Sequence, residues 1–138
     1  MNSLPKQEAQ KLARNSAQEF IQHTRRFITR IYSNWSRIDS SNFYPQEFWN
    51  VGCQMTALNF QMPGIPMDLQ DGKFRDNGRC GYVLKPEFLR NEDCSFVPHG
   101  HKHRTQLIFF TIKVISGFLL PHESICKTKP SLIVKVEI

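Results

Sequence analysis

Between residues 5 and 85 the apolar residues change period several times, and the order of those changes is what most limits the possible folds. Pro5 suits the first turn of a helix, and Ala9, Leu12, Ala13, Ala17, Phe20 and Ile21 then recur at steps of three and four. That spacing predicts one helix over residues 5–23. From Phe27 the rhythm becomes a short β-branched and aromatic run ending at Tyr32, a strand by composition. Pro45 opens a second, short helix that Gly52 stops, and residues 53–60 form an apolar run of the length expected for a strand buried on both faces of a parallel sheet. A loop carrying Pro63, Gly64, Pro66, Gly72 and Gly78 follows, then a third strand over 81–85 that Pro86 ends. Helix alternating with strand in this way is an α/β unit, in which parallel strands need crossover connections, and three strands cannot close a barrel on themselves.

A chain of 138 residues with 40% hydrophobic and 22% charged residues has a globular balance. Its longest apolar stretch, residues 107–120, is broken by Thr111, Lys113 and Ser116 and falls short of the ~20 apolar residues that span a bilayer. The start, Met1 to Lys6, lacks the pattern of a secretory signal. Cys53, Cys80, Cys94 and Cys126 lie far apart with no Cys-x-x-Cys pair, so free thiols and a soluble intracellular setting are expected. The net charge of +6 favours anionic partners without telling a phospholipid headgroup from a nucleic acid. Phe27, Phe48, Trp49 and Phe60 sit in core-like runs and are not interleaved with Lys and Arg, which argues against nucleic-acid binding.

Arg30 and Tyr32 are two residues apart on the first predicted strand, so their side chains leave the same face near its C-terminal end. A planar guanidinium matches a phosphate bidentately, and a tyrosine ring lies flat against a sugar or inositol. Asp39 to Asn42 and Asp76-Asn77-Gly78 are turn and capping sequences. Glu47, Asp68 and Glu87 show no catalytic pairing and read as solvated carboxylates. His99, His101 and His103, beside Lys102 and Arg104, read as a solvated basic run in preference to a metal site. Phosphate-cradling glycine loops, nucleophile elbows and zinc-type arrays are absent from the sequence.

Three blocks, residues 27–32, 39–42 running through 49–60, and 76–86, resemble in order and spacing the Y box of eukaryotic phosphoinositide-specific phospholipase C, most closely its zeta and delta types. The resemblance implies an α/β fold: the second half of a TIM-type (β/α) barrel, begun just after its first strand. The first two strands of a C2 β-sandwich would follow, over residues 106–117 and 131–138. The implied divisions are a half-barrel over 1–91, a linker over 92–104 and a truncated C2 domain over 105–138, its apolar strand pair exposed and prone to aggregation. The implied activity is hydrolysis of phosphatidylinositol 4,5-bisphosphate to diacylglycerol and inositol trisphosphate in signal transduction, at the cytoplasmic surface of a membrane. By the same resemblance Arg30 and Tyr32 grip the 4-phosphate and the inositol ring, and Ser3, 27 positions before Arg30, shares that phosphate. The acid/base histidines and the ligands of the calcium cofactor belong to the X box, which these residues do not contain. No catalytic or metal-binding residue is therefore assigned here, and the X-box half becomes an expected partner. A non-catalytic phosphoinositide-binding or scaffold module is the alternative.

Some positions depart from the family pattern. Ser33 replaces a proline, which predicts a looser loop behind Tyr32. Arg79 replaces a glycine, which predicts a strained turn, and Ser131 stands where delta-type C2 domains carry a calcium-binding aspartate.

Overall fold

Asn2–Pro5 forms the first strand, β1, ahead of any helix. The computed structural model describes residues 1–33, 40–93, 96, 98, 109 and 111–116. The chain divides into two units, Met1–His103 and Arg104–Ile138. In the first, β1 is followed by α1 (Lys6–Asn15), α2 (Ala17–Arg26), β2 (Thr29–Tyr32), α3 (Gln46–Trp49), β3 (Met55–Thr56), α4 (Ile65–Lys73) and α5 (Glu87–Arg90). The strands make one parallel sheet in the order β1-β2-β3. An α/β unit with a small parallel sheet is thus the observed architecture.

The apolar stripe of the first helical region faces the core as its spacing predicts. Ala9, Ala13, Phe20 and Ile21 are buried, and Leu12 and Ala17 pack against them. The region is two helices, however, and not one: Ser16 leaves helical geometry at φ −138° and ψ 43°. Its N–H still bonds Leu12 O at 2.9 Å, and its carbonyl accepts from Phe20 N at 3.0 Å. Asn15 and Ser16 are residue types whose side chains compete for nearby backbone groups, so a break there costs little.

Three further expectations are corrected. The strand predicted over 53–60 pairs only at Met55–Thr56, and Met55 is exposed, so it is not buried on both faces. No strand forms over 81–85 among the described residues; Tyr82 and Leu84 are 79% and 76% exposed, and Pro86 caps α5 where it was expected to end a strand. The third strand of the sheet is instead β1, which reaches Pro5, where a helix was expected to start. The region read as a loop after Phe60 holds α4, which Gly64 and Pro66 open. In the second unit, residues 109 and 111–116 carry no strand, and the second expected C2 strand lies outside the described residues.

β2 is the middle strand, paired with β1 on one edge and with β3 on the other. Ile31 is fully buried and clusters with Phe48, Val51, Phe43 and Leu89, with Leu4 packed beside it. Behind the sheet, buried Thr24 organises the joint between α2 and the turn after α3. Its hydroxyl lies 2.8 Å from Val51 O and 3.0 Å from Ile21 O, and its carbonyl accepts from Gln54 Nε2 at 2.7 Å and Lys85 Nζ at 2.8 Å. Gly52 passes this joint at φ +80°, where an added Cβ would stand 2.6 Å from Thr24 Oγ1 and 3.3 Å from Lys85 Nζ. Both the left-handed backbone and the contact with a side chain that cannot swing away oppose substitution. Gly52→Ala is expected to destabilise by about 2 kcal/mol, read as a lower melting temperature of a barrel containing this segment; an unchanged melt would mean that the joint yields freely.

The turn after α4 is left-handed through three consecutive residues, Asn77 (φ 55°), Gly78 (φ 64°) and Arg79 (φ 61°). Asn77 Nδ2 staples it by donating to Cys80 Sγ and to Tyr82 O, each at 3.1 Å. Strain at Arg79 therefore matches the expectation from its replacement of a glycine. Arg79→Gly is expected to raise stability by about 0.5–1 kcal/mol, which a thermal melt would register; a lower melting temperature would show that the arginine side chain stabilises the turn.

Candidate functional site

Side chains at matched register positions of parallel strands leave the same face, and the register here pairs Ser3 with Arg30 and Arg30 with Met55. Leu4 and Ile31 turn the other way, into the core. Ser3, Arg30 and Tyr32 therefore share the face of the sheet away from the core that α1, α2 and α3 build. Ser3 and Arg30 stand on neighbouring strands ~4.8 Å apart. The Arg30 guanidinium lies 5.5 Å from the Tyr32 ring centre, so the two side chains already form one stacked unit. Among the described residues no carboxylate forms an ion pair with Arg30. The simple structural role for this arginine, a surface salt bridge, is not what the geometry provides.

Beside Arg30 lies a cavity of about 240 Å³ walled by Gln54, Met55, Thr56, Gln70 and Phe74. Gln54 is fixed there by its own bonds: its Oε1 accepts from Thr29 N at 2.9 Å while its Nε2 serves Thr24 O. Gln70 comes from α4, and its buried Oε1 has no hydrogen-bond partner among the described residues. Sequence reasoning missed Gln70 and Phe74 because it read α4 as loop. The signal was present, since a proline at the second helical position after a glycine is a helix opening.

Loop anchors complete the surroundings. Asn42 Oδ1 accepts from Asn59 N at 2.7 Å, Asn42 Nδ2 donates to Asn59 O at 2.9 Å, and Asn59 Nδ2 donates to Ser40 O at 2.7 Å. The segment after β2 is thus tied to the one after β3, the backbone role expected of Asn42; Asp39 lies outside the described residues. Ser33, just past Tyr32, buries an Oγ with no partner among the described residues. Glu47 is not a solvated carboxylate as expected: it takes Gln10 Nε2 at 2.9 Å and Arg14 Nε at 3.1 Å, tying α3 to α1.

Cys53 is a buried free thiol, and burial pushes its pKa up to about 12 against the pull of the nearby Lys85 charge. It is therefore protonated at neutral pH and not a nucleophile. Burial likewise lowers the Lys85 pKa. His23 stacks on Phe27 and bonds the Asn2 side chain at 2.9 Å, at the start of β1. Tyr32 ends β2 three register positions further on, ~10 Å along the sheet. His99, His101 and His103 lie outside the described residues, as does Ser131. Among the described residues no group of three or more His, Cys, Asp or Glu stands together to hold a metal, and no helix is long and apolar enough to cross a membrane.

A basic and aromatic pair on the open face of a parallel sheet coincides with a family match: residues 1–88 fit the model of the phosphatidylinositol-specific phospholipase C Y domain. The chain belongs to that family. It is 56% identical over 135 residues to the 1-phosphatidylinositol 4,5-bisphosphate phosphodiesterase zeta-1 of Bos taurus, covering 98% of this chain and 21% of that protein. To the delta-4 phosphodiesterase of Macaca fascicularis it is 45% identical over 134 residues, covering 97% and 16%. The chain thus spans about a fifth of the length of these relatives. Among solved structures it is similar to the crystal structure of S. officinalis PLC21, with 46% identity and a TM-score of 0.64 over 70% of this chain and 12% of that one. The zeta and delta likeness read from the sequence therefore holds over nearly the whole chain.

Proposed function

We propose that this Y-domain chain supplies headgroup recognition to a phosphoinositide phospholipase C that hydrolyses phosphatidylinositol 4,5-bisphosphate to diacylglycerol and inositol trisphosphate. The observation that carries the reading is the register pairing of Ser3 with Arg30 on the sheet face that also bears the Tyr32 ring. Arg30 offers a fork of N–H donors to a phosphomonoester, Ser3 adds a hydroxyl donor from the neighbouring strand, and Tyr32 lies against the ring that carries the phosphate. Together they bind and orient a headgroup; none of them moves a proton.

In this reading residues 1–91 are half of a TIM-type barrel, 92–104 a linker and 105–138 the start of a C2 domain. The separation of a second unit at Arg104 supports that division. The missing barrel strands and the acid/base groups come from an X-box half, against which the exposed Phe60, Tyr82 and Leu84 pack. Calcium, the cofactor the family implies, polarises the attacking hydroxyl and the phosphodiester when bound. The donor set of the described residues does not fit it, and no step is assigned to it on this chain. The assembled protein works at the cytoplasmic surface of a membrane as a peripheral enzyme, in keeping with the free thiols of Cys53 and Cys80.

The test is reconstitution of the chain with an X-box half from a zeta-type relative. The expected result is a stable complex, here called the assembled barrel, that hydrolyses phosphatidylinositol 4,5-bisphosphate vesicles. A well-folded complex that binds those vesicles but never turns them over would favour the scaffold-module reading instead.

A further inference from the structure

Phe74, which walls the cavity beside Arg30, stands at the end of α4 that the helix itself holds least well. α4 buries one side chain fully, Met67 near its start, and its last turn contains Gly72, whose added Cβ would meet nothing within 4 Å. Glycine inside a helix is less favourable than alanine by about 1 kcal/mol, so that turn is not kept by its own propensity. Its anchor is Trp49. Lys73 Nζ lies 4.9 Å from the centre of the indole ring, and the Phe74 ring meets the same indole edge-on, with centroids 6.2 Å apart and planes at 76°. Among the described residues Lys73 forms no salt bridge. Burial lowers its pKa against the pull of Asp76, as expected of an ammonium partly out of water, where attraction to an aromatic face is strongest. Trp49 is a fixed post: it is buried on α3, whose Glu47 is tied to Gln10 and Arg14 of α1, and the Arg30 cavity is walled without it.

We propose that Trp49 and Lys73 are positioning residues for the Arg30 site: they hold the last turn of α4 so that Phe74 and Gln70 wall the cavity that Arg30 lines. The proposal rests on the headgroup reading given above. Neither residue touches the ligand. Both act through Phe74, whose ring keeps water out of the space beside the guanidinium, and a charge pair is stronger where water is excluded. Freed from the indole, the turn shifts and water enters the cavity. The cost then falls on a phosphate held by Arg30 and not on a lipid that lacks one.

The test is steady-state hydrolysis of phosphatidylinositol 4,5-bisphosphate and of phosphatidylinositol by the assembled barrel. Lys73→Met keeps the length of the side chain and removes its charge. It is expected to raise KM for the bisphosphate about three- to tenfold, to leave kcat within about twofold, and to change KM for phosphatidylinositol by less than about twofold. Lys73→Arg keeps a cation over the ring and should restore the original values. Trp49→Leu should act in the same direction with no change in net charge, which separates the effect from general attraction to an anionic vesicle, and Trp49→Phe should recover part of the loss. Lys73→Met and Trp49→Leu together should cost less than the product of their separate effects, because both remove one contact. If the Trp49 variants fail to assemble, the two Lys73 variants decide alone. Unchanged KM for the bisphosphate in Lys73→Met, or an equal rise for both lipids, would overturn the proposal. Arg30→Ala in the same assay separates the two readings. If it loses selectivity while Lys73→Met is silent, the headgroup site stands and the positioning role falls. If it is silent while Lys73→Met raises KM for the bisphosphate alone, the Arg30 assignment fails and the hold of α4 on the cavity stands.

Discussion

Arg30→Ala in the assembled barrel is expected to lower the use of phosphatidylinositol 4,5-bisphosphate roughly ten- to a hundredfold more than the use of unphosphorylated phosphatidylinositol. The proposed partner of its guanidinium is the 4-phosphate, which the second lipid lacks, and a charge-assisted hydrogen bond is worth about 1.5–3 kcal/mol. Two features of the fold favour an effect of this size. The guanidinium is stacked 5.5 Å from the Tyr32 ring centre and so is already oriented, and no described carboxylate competes for it. Tyr32→Ala removes the ring against which inositol lies, a contact both lipids make, and also releases the stacked guanidinium, so both lipids should suffer, with a far smaller difference between them than for Arg30→Ala. The measurement is hydrolysis of the two lipids side by side with both variants. Equal losses for Arg30→Ala on the two substrates would make Arg30 a structural residue and move the site elsewhere.

The 138-residue polypeptide purified by itself is expected to show no turnover of the bisphosphate with calcium present and no cooperative melting transition. Proton transfer by positioned side chains contributes typically ~10²–10⁴-fold to such reactions. The described histidine, His23, is engaged with Asn2 and Phe27 at the far end of the sheet from Tyr32. Cys53 is held protonated by burial. Phe60, Tyr82 and Leu84 meanwhile present aromatic and aliphatic surface to water, and the sheet has open edges at β1 and β3. Binding of a hydrophobic dye with retained far-ultraviolet dichroism is the signature expected of such a chain, and addition of the X-box half should abolish the dye signal. A monomer that melts sharply alone, or that hydrolyses the lipid alone, would refute the half-barrel reading.

Local sequence alone determined the apolar stripe of the first helical region, the strand ending at Tyr32, the short helix after Pro45 and the turn at Asp76-Asn77-Gly78, while the strain at Arg79 was expected only from the family likeness. Each is set within a few residues: a stripe by its period, a helix start by proline, a left-handed turn by Asn-Gly. The family likeness, spread over blocks from Phe27 to Pro86, added Ser3, which nothing in its own neighbourhood marks. Tertiary structure decided the rest. Residues 81–85 have the composition of a strand yet remain unpaired, because a strand is completed by the ladder of a neighbour and none is there among the described residues. Asn2–Pro5 has weak strand propensity and is a strand because β2 pairs with it in register. That same pairing puts Ser3 beside Arg30, 27 positions apart in sequence, and the return of α4 onto the sheet brings Gln70 and Phe74 to the wall of the cavity beside Arg30. Periodicity tells which face of an element is apolar, but which faces meet depends on long-range packing that no local window of sequence contains.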